Sequence, residues 1–375
     1  MSTSLDVAPG PVSTLDELRG EVRAFLAGQT FTPRCDPWVR GFDPGFSRAV
    51  GERGWIGMTW PTERGGGGSS NVERWVVAEE LLRAGAPVAG HWTADRQTGP
   101  SLLRFGTPAL QAELLPAIRR GEVVVGLGIS ESEAGSDLAA LRTGAKRVDG
   151  GWEISGTKIW SSSAHHATHV YVLARTDSSG SRHDGMTEFL IDAGAAGLEV
   201  RPILDLTGEH HFNEMHFDRV FAPDARVLGE VGAGWKQITD QLAFERGGPD
   251  RYLSTYPLVR AMLRRLRRAP DRAATERLGA LTARLVGLRR LGLELAHELD
   301  SGRAPSQKGA RLKLLGTLFE QDVVETARYV LDVCGAEPED LALLHDAIQV
   351  APGATIRGGT SEIMRTVVAR AEVGR

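Results

Sequence analysis

Apolar residues recur at helical spacing through the first part of the chain. Thr14 and Glu17 form a capping-box pattern, and Leu15, Leu18, Val22, Phe25 and Leu26 follow it three or four positions apart. Stretches 76–82 and 110–118 carry the same period, with turn-rich pieces between them. Four glycines at 65–68 suggest a phosphate loop, but no Gly-Lys-Ser/Thr follows and the flanks do not run strand to helix; a flexible surface loop is expected. From about residue 121 the texture changes. The runs 123–125, 152–159, 170–174, 188–192 and 215–217 are short, β-branched or aromatic, and Gly, Asn, Asp and Pro punctuate them. Strands so spaced, with no helices between, predict an antiparallel barrel or sandwich. The missing strand–helix alternation and the absence of Gly-x-Gly-x-x-Gly argue against a Rossmann sheet. After Gly232-Ala233-Gly234 helical periodicity returns over 258–299 and 311–330, with no internal repeat. The expected class is α+β, mainly α, with a helical domain at 1–120, a β-domain at 121–228 and a helical bundle at 229–375.

Composition narrows the function. The 375 residues carry 44 Lys+Arg against 48 Asp+Glu, a formal net charge of −4. Such a balance does not neutralise phosphates, so nucleic acid is not an expected partner. The two cysteines, Cys35 and Cys334, lie at opposite ends of the chain, which excludes a disulfide framework and a Cys-rich metal site. The first residues lack a basic region followed by an apolar run, and no apolar stretch approaches the ~18 residues of a membrane span. A cytoplasmic, membrane-free protein is expected.

The helix beginning near Trp235 holds the most informative side chain. Trp235, Ile238 and Leu242 share one face, Glu245 continues it, and Lys236, Gln237 and Asp240 lie on the other side. A carboxylate on an apolar stripe is costly unless paired or protonated. Two readings stay open: a buried salt bridge with Arg246 or Arg251, or a general base whose pKa is raised by desolvation. Gly247-Gly248-Pro249 would interrupt the helix beside it, where a ligand can approach. A second cluster runs from Ile129 and Ser130 through Gly135 and Ser136 to Asp137, where small residues let backbone N–H groups meet a polar ligand. Trp160 and the three serines after it end another strand and offer a flat face over hydroxyl donors. His165, His166, His169, His210 and His211 have no familiar metal-ligand spacing, so no metal is expected. Gly358 to Glu362 reads by itself as a turn and helix cap.

Four segments together resemble the acyl-CoA dehydrogenases: 126–137 (GLGISESEAGSD), 156–163 (GTKIWSSS), 232–246 (GAGWKQITDQLAFER) and 359–365 (GTSEIMR). Their order and intervals agree over essentially the whole chain. The resemblance implies an N-terminal helical domain, a middle β-domain, a C-terminal four-helix bundle and non-covalent FAD. By position, Leu127, Ile129, Ser130, Gly135 and Ser136 would line the flavin on one side. Trp160, Ser161 and Ser162 would cover the other, with Ser162 reaching towards N5, while Thr360, Ser361 and Glu362 would meet the far portion of the dinucleotide. Ser136, Ala243, Phe244, Arg246, Gly358 and Gly359 would contact the acyl thioester.

Many members of the family place their catalytic Glu immediately before the C-terminal Gly-Thr; here that position is Gly358. Others, including isovaleryl- and long-chain-type enzymes, supply it from the helix after the β-domain, at the position of Glu245. The implied reaction is α,β-dehydrogenation of a thioester of coenzyme A or an acyl carrier protein to the 2,3-enoyl product. Glu245 would take the α-proton and flavin N5 the β-hydride. An electron-transfer flavoprotein, or oxygen, would accept the electrons. An oxidase or flavin monooxygenase on the same fold is the nearest alternative, and a non-catalytic FAD-binding subunit is another. The family's Arg-x-x-Phe-Gly segment has no clear match over 258–299, and its Gln-x-x-Gly-Gly-x-Gly segment is reduced to Leu331-Asp332-Val333-Cys334-Gly335. Both serve FAD across a subunit interface, so a homo-tetramer or dimer is expected, with a heteromer as the alternative.

Overall fold

The computed structural model describes residues 14–245, 247–303 and 306–373, the side chains of 242–245 and 371 excepted. Helices come first: α1 (Leu15–Ala27), α2 (Pro37–Arg40), α3 (Pro44–Glu52), α4 (Asn71–Ala84), α5 (Ala89–Thr93), α6 (Gly99–Phe105) and α7 (Pro108–Arg119). Capping boxes start two of them. Thr14 and Glu17 open α1, and Ser70 and Glu73 open α4, each satisfying backbone donors that a helix start leaves unpaired. Leu18, Val22 and Phe25 then face the core, as their spacing predicts.

Between α5 and α6 a single π-turn, Ala94–Thr98, keeps the helix continuous. Pro100 has no N–H to donate to the previous turn and would crowd its carbonyls, which the wider turn relieves. The glycine run differs from expectation. Gly67 and Gly68 donate to the carbonyls of Gly57 and Trp60 at 3.1 and 3.0 Å. A Cβ at Gly66 would sit 2.1 Å from the Trp60 carbonyl oxygen. Gly66 and Gly67 serve close backbone packing and Gly65 and Gly68 take left-handed turns, so the run is not a free loop.

The middle domain is one eight-stranded sheet: β1 (Val125–Gly128), β2 (Gly144–Val148), β3 (Gly151–Lys158), β4 (His169–Arg175), β5 (Met186–Asp192), β6 (Leu198–Leu204), β7 (His210–Pro223) and β8 (Val227–Leu228). The order is β6-β7-β3-β2-β4-β5-β8, with β1 pairing β4. Most pairs are antiparallel, but β1–β4 and β2–β4 are parallel. One core cluster, including Trp152, Ile154, Val172, Phe189 and Phe217, belongs to the sheet alone. Tyr171, Leu173, Met186 and Leu190 instead join the larger cluster that runs through both helical domains.

The chain closes with α8 (Gly234–Glu245), α9 (Tyr256–Arg268), α10 (Arg272–Asp300), α11 (Ser306–Val333), α12 (Pro338–Ala354) and α13 (Ser361–Glu372). Helices α9 to α12 pack together as a bundle, and α13 lies on α11. The periodic stretch 258–299 is two helices. Pro270 ends the first, and the Asp271 side chain accepts the Ala274 N–H at 2.7 Å to cap the second. No helix among the described residues is long and apolar enough to cross a membrane.

Candidate active site

Two strand ends meet at the first half of the site. Strand β1 leads into the small-residue loop and β3 into Trp160. The Ile159 N–H donates to the Ser130 carbonyl at 3.0 Å, and Ser161 Oγ donates to the Leu127 carbonyl at 2.6 Å. Beneath them Lys158, fully buried, reaches Glu131 at 2.8 Å and the Ile129 carbonyl at 3.1 Å. Burial pulls the Lys158 ammonium down to about 8, although Glu131 pushes the other way. Burial alone would raise the Glu131 carboxyl, but Lys158 and the donors of Arg142 and Thr143 outweigh it and leave it lowered. The pair joins the two loops through their bases.

Trp160 stands above this joint in a left-handed conformation, φ +63°, with 56% of its surface exposed. A bulky residue held there stores strain, and such strain gathers at ligand sites. Phe212 meets the indole edge-on at 5.7 Å. Asn213 fixes the next residue by two bonds, its Nδ2 donating to the Ser161 carbonyl at 2.9 Å and its carbonyl accepting the Ser161 N–H at 3.0 Å. The Ser130 and Ser162 hydroxyls make no hydrogen bond to a described residue. A Cβ at Gly135 would meet open space. An exposed aromatic face, two uncommitted hydroxyls and an open loop backbone fit a flat, hydrogen-bonding ring system such as the flavin of FAD.

The second half comes from the C-terminal helices. In α8 Ile238 is buried and Trp235 half-buried, as the stripe predicts. Gln237 departs from its expected place on the solvent side: it is buried, and its Nε2 donates to Glu188 and to the Leu228 carbonyl at 2.9 Å each. The helix buries a wider arc because it docks on the sheet as well as the bundle. Glu188 accordingly sits in a dry pocket that raises its carboxyl to about 7. The backbone of Ala243, Phe244 and Glu245 is the last turn of α8, but their side chains, and all of Arg246, lie outside the described residues.

Beyond that turn, Arg251 pairs with Asp250 at 3.0 Å and lies 5.2 Å over the Trp38 ring. Arg357 lies 4.7 Å over the same ring and donates to Asp36 at 2.6 Å. Trp38 is thus held between two guanidinium groups, and its Nε1 donates to Ser254 at 2.9 Å. The N-terminal domain in this way clamps two C-terminal loops side by side. Gly358, in the second loop, has φ +66°, and a Cβ there would come within 2.8 Å of Arg251 Nη1. Gly359 is left-handed too, at φ +95°. Thr360 then caps α13 by accepting the Ile363 N–H at 3.3 Å, with Ser361 half-buried and Glu362 exposed.

A cavity of about 240 Å³ opens between the two helical domains. Trp60, Leu103, Phe105 and Leu299 give it apolar wall, and Gln241 of α8 reaches it one turn before Glu245. Arg74 and Arg96 line it and also border a smaller cavity with Gly247 and Gly248.

Comparison with known proteins accounts for this layout. The acyl-CoA dehydrogenase N-terminal, middle and C-terminal domains match residues 13–122, 126–220 and 232–373 in order. The chain belongs to the acyl-CoA dehydrogenase family. It is 35% identical over 333 residues to acyl-CoA dehydrogenase FadE34 of Mycobacterium tuberculosis, covering 87% of this chain but only 45% of that relative. It therefore spans under half of FadE34's length. It is 32% identical to acyl-CoA dehydrogenase IpdE1 of Mycolicibacterium smegmatis, covering 96% of this chain and 97% of the relative. Among solved structures, the Tcur3481-Tcur3483 steroid acyl-CoA dehydrogenase superposes with a TM-score of 0.87 at 27% identity, over 98% of this chain and 99% of its own.

Within this acyl-CoA dehydrogenase fold, the residues singled out from sequence fall into two groups. Leu127, Ile129 and Ser130 are brought against Trp160, Ser161 and Ser162. Gly135 and Ser136 extend from the same loop into the open. Ser161 spends its hydroxyl on Leu127, so Ser162 carries the free one. Gly358 to Glu362 belong to the separate C-terminal loop. Lys158, Glu131, Asn213, Trp38, Arg251 and the two cavity arginines were not anticipated as site residues. Lys158 and Glu131 left a faint signal, a lysine ending an apolar strand and a carboxylate in a small-residue loop, but the others depend on tertiary contacts. The histidines are stacked and do not converge. His165 lies 3.9 Å from both His166 and His210, and His166 lies flat on Phe42 at 3.9 Å.

Proposed function

We propose that this protein dehydrogenates an acyl thioester at the α and β carbons, with Glu245 as the base that removes the α-proton. The observation that carries the assignment is the environment of Gly358. Many family members place their Glu at this position, but here it is a glycine in a left-handed conformation, φ +66°, so no carboxylate stands there and a side chain at that backbone would be strained. Glu245 ends α8 one turn past Gln241, which lines the cavity, and this supports the reading. FAD, when bound, supplies the acceptor for the β-hydride.

The chain's own residues hold and orient. Trp160 offers the face for the ring system, and Ser130 and Ser162 offer hydroxyls to its polar edges. Following the family pattern, Gly135 lies with the flavin, Ser136, Ala243, Phe244 and Arg246 are assigned to the thioester's carrier arm, and Thr360 to Glu362 to the far part of the dinucleotide. The Gly358 N–H donates to the thioester oxygen as enolate charge develops there. A positioned donor of this kind is worth about 3–4 kcal/mol. Glycine suffices because only its amide is used. The cavity takes the acyl end. The carrier is coenzyme A or an acyl carrier protein, and the electrons leave to an electron-transfer flavoprotein or to oxygen. Assembly with a second, different subunit is part of the reading, because the name of the Tcur3481-Tcur3483 neighbour joins two components.

The test is anaerobic. Purified protein is expected to be yellow, to hold FAD near one per chain, and to lose its flavin colour on addition of some member of a panel of straight, branched and cyclic acyl thioesters. Protein that stays yellow with every thioester, alone and with candidate partner subunits, contradicts the proposal. Rapid recovery of colour in air would move the reading to an oxidase.

A further inference from the structure

The cavity is apolar along much of its wall but strongly cationic where α4 and the Ala94–Thr98 turn meet. The side chain of Arg74, in the first turn of α4, makes no hydrogen bond and no ion pair with a described residue. Burial and the neighbouring Arg96 together pull its guanidinium down to about 10, against the smaller opposing pull of Asp95, Asp250 and Asp300. Each of those acids is engaged elsewhere. Asp95 accepts the Gly57 N–H at 2.7 Å, and Asp300 accepts the Asn71 N–H and Nδ2 at 2.6 and 2.8 Å. Asp250 pairs with Arg251 at 3.0 Å and holds Arg96 at 3.5 Å. Arg96 is further fixed 4.6 Å over the Trp92 ring. Of the three arginines lining the cavity, Arg96 is therefore anchored, Arg104 pairs with Asp240 at 3.2 Å, and Arg74 stands beside Arg96 without a side-chain partner among the described residues.

Two half-buried like charges side by side oppose folding, and a guanidinium without a carboxylate forgoes the bidentate bonding its planar fork is shaped for. An anion delivered into the cavity would meet both. We propose that the cavity recognises a carboxylate carried by the acyl chain away from the thioester, through Arg74 with Arg96 as its neighbour. Asn71, Gln97 and Gln241 supply further polar contacts, and Trp60, Leu103 and Phe105 hold the methylenes in between. This rests on the dehydrogenase reading, since it assigns the cavity to the acyl end. The flavin-facing residues of the β-domain do not line the cavity, which sets it apart from the phosphates of a nucleotide carrier.

The test uses the FAD-loaded protein, two acyl thioesters of equal length, one ending in a methyl group and one in a carboxylate, and adipate as a thioester-free probe. Wild type is expected to favour the carboxylate-ended substrate by about tenfold or more in kcat/KM. Arg74→Gln should lower that preference by about ten- to a hundredfold, through KM and with little change in kcat, and Arg74→Lys should restore part of it. By calorimetry, adipate should bind wild type and not Arg74→Gln. A wild-type preference for the methyl-ended substrate, or adipate binding that Arg74→Gln leaves intact, overturns the inference. Inorganic phosphate binding in place of adipate overturns it too, in favour of a carrier phosphate. Should neither thioester bleach the flavin, the wider thioester panel decides the dehydrogenase reading, and adipate binding to wild type but not to Arg74→Gln decides the role of Arg74.

Discussion

Gly358 shows how one residue can decide where the chemistry sits. The sequence reveals that the position lacks a carboxylate; only the packed structure shows that its backbone is left-handed and that Arg251, from a loop about a hundred residues earlier in the chain, lies against it. Gly358→Ala is expected to cost about 1–2 kcal/mol from the left-handed backbone, with a further loss as Arg251 shifts. Gly135→Ala, which would meet open space, is the control and should cost under about 0.5 kcal/mol. Urea melts of the two variants check the pair. Equal effects at both positions would mean that the Gly358 turn is not constrained as described. Arg74 was hidden in sequence for a similar reason. A lone arginine at a helix start reads as solvated surface until the π-turn and α10 close around it.

At the scale of elements, the strand ends around Trp160 depend on a buried ion pair. Lys158→Met leaves Glu131 without its cation, which should cost about 3–5 kcal/mol, towards the lower end because two backbone donors remain. Removing Glu131 as well, as Glu131→Gln with Lys158→Met, should recover part of that loss. Since the pair joins the two loops proposed to face the flavin, the single variant is also expected to hold less FAD per chain, read from the flavin-to-protein absorbance ratio. Unchanged FAD content would show that the loops keep their places without it. Element type was legible wherever periodicity was strong, as in α1, α4, α7 and α11. Strands β2 and β6 were missed because Lys146 and Arg147 stand side by side in β2, and in β6 the short Leu198–Arg201 alternation is broken by Pro202 on a half-exposed strand. Gln237 was misplaced because a helical stripe records one packing partner, and α8 has two.

For the whole molecule, the succession of helices, strands and helices could be read directly, because the period of the apolar pattern changes twice along the chain. What could not be read is how the three parts meet. The Trp38 clamp, the cavity between α4, α6 and α10, and the parallel pairing of β1 with β4 all join residues far apart in sequence. Glu245 ends the helix that touches the sheet, one turn past the cavity-lining Gln241 and just before the turn at Gly247 and Gly248. Its role as base is the central claim, and the Glu245→Gln variant tests it most directly. The substitution keeps volume and hydrogen bonding but removes the proton acceptor. Anaerobic flavin reduction by a thioester that bleaches wild type should slow by about 10²–10⁴-fold, towards the upper end, with FAD content and melting temperature near wild type. Reduction at the wild-type rate, accompanied by a large drop in melting temperature, would instead make Glu245 a buried salt-bridge partner and contradict the account.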